Sequence, residues 1–122
     1  MTRIESGTFQ GYAITFGTHG DFTVRRGAFT KTLQENLYRK RIKLAFRDKI
    51  VGIVVEAVEK EHGLWFKAQF NTTALAQDVR TKVSEGILNS VSIRYSVIRE
   101  RKLDAQRELL EVRLFGIVFE DP

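Results

Sequence analysis

The chain has 122 residues, 43% of them hydrophobic, with nine Phe and a net charge of +5 from 20 Lys+Arg against 15 Asp+Glu. That length fits one domain, read as spanning 1–122, with enough chain to bury a core without staples. Cysteine is absent, which excludes disulfides, thiolate metal sites and cysteine nucleophiles. No apolar run approaches the ~18 residues of a membrane span, and Met1-Thr2-Arg3-Ile4-Glu5 lacks an apolar signal region, so a cytosolic chain is expected.

Residues 8–16 read as an aromatic-rich strand, and 17–21 as a glycine turn around His19. Phe22-Thr23-Val24 is a short strand. A helix is expected from about Ala28 to Tyr38, with Phe29, Leu33 and Leu37 on one stripe. Residues 41–47 alternate, placing Ile42, Leu44 and Phe46 on one side. A nearly continuous apolar strand follows from Ile50 to Val58, and Gly52 within it marks a bulge or a close backbone contact. The loop Glu59–Gly63 leads into a return strand with Leu64, Phe66, Ala68 and Phe70 on one face.

Asn71-Thr72-Thr73 caps a second helix whose stripe is Leu75, Val79 and Val83, closed by Gly86 at C′. A strand over 90–98 follows. The charged run from Arg99 to Glu108 is a loop or an extended hairpin arm, and Leu109–Phe119 is the last strand. Seven strands and two helices without a βαβ rhythm predict an α+β fold: a mostly antiparallel, curved or barrel-like sheet with two packed helices.

Six basic residues, Arg39, Lys40, Arg41, Lys43, Arg47 and Lys49, fall within 39–49. Such a cluster is an electrostatic footprint for nucleic acid or an acidic partner. The plainer reading is a solvated helix end, favoured by the helix dipole, followed by a strand with an outward basic face. His19 and His62 are isolated in glycine loops with no metal-ligand spacing. Neither phosphate-cradling glycine motif is present, so no cofactor is expected.

Ser92 falls between Val91 and Ile93 in the strand after Gly86. If 91 and 93 face the core, the hydroxyl faces the other way. It is either a polar residue on a solvated strand face or a nucleophile on a rigid backbone. A serine nucleophile needs a base, and the base an orienting group. The candidates are Glu111, His19 and His62; taken alone, Glu111 is a surface carboxylate.

The order of segments resembles the prohead (capsid-maturation) serine proteases of tailed phages, relatives of the herpesvirus assemblins. Phe9–Gly17 is similar to the family's first strand, and His19-Gly20-Asp21 with Gly27-Ala28-Phe29 to its G-D…P-G-A-F segment. Lys43-Leu44-Ala45-Phe46 and Ile50-Val51-Gly52 resemble the strand pair around the catalytic histidine. His62-Gly63-Leu64-Trp65-Phe66 resembles the G-L-x-V hairpin. Gly86–Tyr95 looks like the nucleophile strand, and Leu110-Glu111-Val112-Arg113-Leu114 like the late L-x-E-V-S-L strand.

The resemblance implies Ser92 as nucleophile and Glu111 as orienting carboxylate. It also implies partners among phage capsid, scaffold or other virion proteins, a homo-oligomer or a place in a viral assembly, and the host cytoplasm or prohead as location. The chain departs from the pattern where the base should stand: Phe46-Arg47-Asp48-Lys49 has no histidine. Arg94, Arg113 and Arg26 replace a glycine, a serine and a proline of the family. Arg47 cannot accept a proton, and the carboxylate of Asp48 is a poor base for serine. Two readings follow: a silent pseudoprotease kept as an assembly or virion-interaction module, or an active endopeptidase cleaving scaffold and capsid proteins. A basic domain binding nucleic acid through 39–49 is a third and weaker reading.

Overall fold

The computed structural model describes residues 3–5 and 7–121. Nine strands and two helices run in the order β1 (Arg3–Glu5), β2 (Thr8–Thr15), β3 (Gly17–His19), β4 (Phe22–Val24), α1 (Thr30–Asn36), β5 (Lys43–Phe46), β6 (Lys49–Glu59), β7 (Gly63–Phe70), α2 (Ala74–Ser84), β8 (Val91–Leu103) and β9 (Gln106–Phe119) among the described residues. The architecture is the expected curled α+β sheet. All seven expected strands form. β1 and β3, three residues each, are additions; β3 occupies part of the stretch read as a turn.

The sheet order is β1-β2-β7-β6-β5-β9-β4-β3, with β8 paired to the other edge of β9. Most pairings are antiparallel, but β4 and β5 both run parallel to β9, β4 along Arg107–Leu109 and β5 along Gly116–Phe119. Between them that edge of β9 has no strand, and α1 fills the gap. Val112 N–H donates to the Ala28 carbonyl at 3.0 Å. Leu114 N–H donates to Thr32 Oγ1 at 3.0 Å, and the same hydroxyl lies 3.5 Å from the Leu114 carbonyl. Thr32 is buried because it satisfies backbone groups that would otherwise be orphaned.

Helix α1 is shorter than its pattern, and no side chain of its own caps it. Glu59 of β6 does so from across the chain, accepting from Gly27 N–H at 2.8 Å and Phe29 N–H at 3.0 Å. Helix α2 is capped locally as expected: Thr73 Oγ1 accepts from Ala76 N–H at 3.2 Å. It closes with a Schellman motif, Gly86 N–H to the Val83 carbonyl and Ile87 N–H to the Lys82 carbonyl, with Gly86 at φ 77°. Its buried residues are Ala76 and Val79, while Leu75 lies on the exposed side. Of the expected stripe, Val79 and Val83 face the core, and Ala76 takes the place of Leu75.

The core is aromatic. Phe9 of β2 meets Phe119 of β9 at 4.9 Å and Phe66 of β7 at 5.7 Å, which shows the sheet curling until strands distant in its order touch. Gly52 is a close-contact glycine: a Cβ there would collide with the Gln69 carbonyl oxygen of β7. The charged run from Arg99 is the hairpin arm, with β8 and β9 paired out to Leu103–Gln106. Near its tip Glu108 accepts from Arg25 at 2.7 Å and Arg101 at 2.9 Å.

Candidate active site

Val91, Ile93, Tyr95 and Val97 of β8 pack on the core, so Ser92 and Arg94 project to the opposite face. Ser92 stands opposite Val118 of β9, and Val118 opposite Ala45 of β5. Arg94 stands opposite Gly116, which in turn faces Lys43. A Cβ at Gly116 would lie 3.4 Å from Arg94 Cβ, so the arginine stem runs over that glycine. Ser92 is thus flanked within the sheet by apolar side chains and by an arginine.

The guanidinium of Arg94 donates to the carbonyl of Arg47. Arg47 sits in the two-residue turn between β5 and β6 at φ 55°, the left-handed region that non-glycine residues seldom adopt. Its own guanidinium lies 4.9 Å from the Phe46 ring and is paired with Asp121 at 3.2 Å. Asp48 completes the turn and is exposed. The turn where the resemblance places a base therefore carries a cation already held by a carboxylate.

Glu111 is not beside Ser92. It pairs with Arg99, seven positions along β9 from Val118. At about 3.4 Å per residue the two rows are on the order of 24 Å apart. Glu111 lines a separate hollow with Lys31, Thr32, Glu35, Ile98, Val112 and Arg113. The expected pairing of Ser92 with Glu111 as nucleophile and orienter is corrected by this register. Counting outward from the Asp104-Ala105 turn would have given it, since that turn fixes which residues of the two long strands meet.

The histidines divide. His62 is exposed in the β6–β7 loop, where its carbonyl accepts from Phe16 N–H at 2.9 Å. His19 lines a groove of about 340 Å³ together with Ala13, Ile14, Phe22, Val91, Ser92, Ile93 and Tyr95. Its ring stacks on Phe22 at 5.6 Å, and Nε2 lies 2.7 Å from the Thr15 carbonyl. A carbonyl only accepts, so Nε2 carries the hydrogen; in the neutral ring Nδ1 is then the basic nitrogen. Among the described residues no group of three or more His, Asp or Glu is gathered for a metal ion, and no helix is long and apolar enough to cross a membrane.

The basic cluster is arranged differently from its plainer reading. Helix α1 ends at Asn36 with no basic residue in its last turn. Arg39, Lys40 and Arg41 follow in the turns beyond it, with Lys40 at φ 57°.

Among solved structures, that of the bacteriophage T4 capsid assembly protease gp21 has a similar fold, with a TM-score of 0.72 at 10% identity over 93% of this chain and 82% of that chain. The nine-stranded curled sheet with its two helices therefore shares the fold of that protease. More narrowly, the chain belongs to the caudovirus prohead serine protease family, whose sequence profile matches residues 2–119. No curated protein sequence matches it.

Proposed function

We propose that this chain is a prohead-protease-fold domain whose Ser92 face no longer supports acyl transfer and which serves prohead assembly as a docking module for capsid or scaffold proteins in the host cytoplasm or prohead. The carrying observation is the contact of Arg94 with the Arg47 carbonyl beside Ser92. Two guanidinium groups occupy the region where a base and its orienter are needed, and neither accepts a proton. Without a base a serine hydroxyl stays a poor nucleophile. A fluorophosphonate probe tests this: the reading expects no adduct at Ser92, and stoichiometric labelling abolished by Ser92→Ala overturns it.

The active endopeptidase is the second reading, because His19 and Ser92 line the same groove, although the β8 wall of that groove is Val91, Ile93 and Tyr95, on the face opposite the Ser92 hydroxyl. That reading requires the Ser92 hydroxyl to turn toward His19, whose Nδ1 would then take its proton as Oγ attacks a peptide carbonyl and deliver it to the leaving amine. This reading expects labelling that His19→Ala removes.

A further inference from the structure

Two adjoining hollows of about 210 and 410 Å³ open between the end of α1 and β9, and both are lined by Asn36, Arg41 and Arg113. Arg39, Tyr38 and Glu35 line the larger one, Phe115 the smaller. We infer that this groove is a docking site for an acidic peptide segment, with an apolar side chain among its carboxylates, on a partner protein. The inference deepens the docking reading above and rests on it for the partner being a protein of the assembly.

Charge is the first ground. Three arginines converge against one carboxylate, and neither Arg41 nor Arg113 has an ion-pair partner among the described residues. The Nε–H of Arg39 bonds the Tyr38 hydroxyl at 3.3 Å, leaving its terminal N–H groups open. The helix dipole does not account for the cluster, because the arginines lie beyond the last turn of α1 or on β9. Each guanidinium offers a planar fork that matches a carboxylate bidentately.

Composition is the second ground. Tyr38 is 70% exposed and Phe115 40% exposed, and each carries an arginine over its ring, Arg39 at 5.6 Å and Arg113 at 5.9 Å, neither guanidinium paired with a carboxylate among the described residues. Aromatic and arginine side chains are the anchors that protein interfaces favour. A nucleic acid fits less well. A single strand needs a groove following about 4–16 nucleotides, whereas Arg101 and Arg107 of the hairpin arm and Arg25 beside it are already tied to Glu108 and Glu100.

The test is fluorescence anisotropy with a fluorescein-labelled peptide of glutamate and phenylalanine, and in parallel a single-stranded oligonucleotide. Saturable peptide binding is expected, weakened at least about tenfold by Arg41→Glu with Arg113→Glu. The charge-matched pair Arg80→Glu with Lys82→Glu on α2 should leave it unchanged. Equal weakening by that pair, or tighter oligonucleotide binding lost in the groove variant, overturns the inference. If the reversals unfold the chain, Arg41→Ala and Arg113→Ala singly replace them, each expected to weaken binding; full retention in both overturns it. Fluorophosphonate labelling of Ser92 would refute the silent-site reading while leaving the peptide measurement to stand or fall by itself.

Discussion

The guanidinium of Arg94 is hydrogen-bonded to the main-chain carbonyl of Arg47, tying the long β8–β9 hairpin to the β5–β6 turn. The contact joins two of the positions singled out by the resemblance, and it lies on Ser92's face of the sheet. Because the donor is charged, truncation should be felt: Arg94→Ala is expected to lower unfolding free energy by about 1–2 kcal/mol, read by urea denaturation. No change would mean that the contact does not hold the turn.

Thr32 carries the junction of α1 with β9. Thr32→Val removes the hydroxyl that accepts from Leu114 N–H at 3.0 Å and leaves that group buried without a partner. A loss of about 1–3 kcal/mol is expected, while Thr32→Ser should retain most of the stability. Equal losses for the two variants would point to lost packing rather than a lost hydrogen bond.

This junction also shows what could be read from the chain. The apolar faces of 42–46 and 64–70, the Thr73 cap and the Gly86 terminus rest on local periodicity and turn chemistry, and they formed as expected. Thr32 and the Glu59 cap were invisible because their partners lie 82 and about 30 residues away in sequence. On α2 the periodicity holds for Val79 and Val83, but Leu75 outranks Ala76 in hydrophobicity while the small alanine is the residue that fits against the sheet. At the candidate site, Ser92's outward orientation followed from strand alternation. Its distance from Glu111 depended on register, and the meeting of His19 with β8 in one groove on the curl of the sheet.

Gly52 is a position where adding one methyl group should be costly. Its Cβ would collide with the Gln69 carbonyl oxygen and lie 3.2 Å from Phe70 Cα, all rigid backbone. Gly52→Ala should destabilise by about 2 kcal/mol or more, seen as a lower denaturation midpoint. An unchanged midpoint would show that β6 and β7 can separate freely.

Acid sensitivity should trace to Glu108. The hydrogen bond from Arg101, aided by the charges of Arg101 and Arg25, holds its carboxyl below the ordinary value of 4.5 despite the opposing effect of burial. A carboxylate with a lowered folded-state pKa contributes stability that is present above the unfolded value and lost as pH falls through the folded one. The stability gap between the native chain and Glu108→Gln should therefore be full near neutrality and shrink on acidification below 4.5. A gap independent of pH would assign the effect to packing.

The central claim concerns the reactivity of one hydroxyl. Intact protein should be incubated with a fluorophosphonate probe near neutral pH and the mass at Ser92 read by peptide mapping. The account predicts an unmodified Ser92 in the native chain and in His19→Ala alike. An adduct at Ser92 that disappears in His19→Ala would contradict it and make the groove a working protease site.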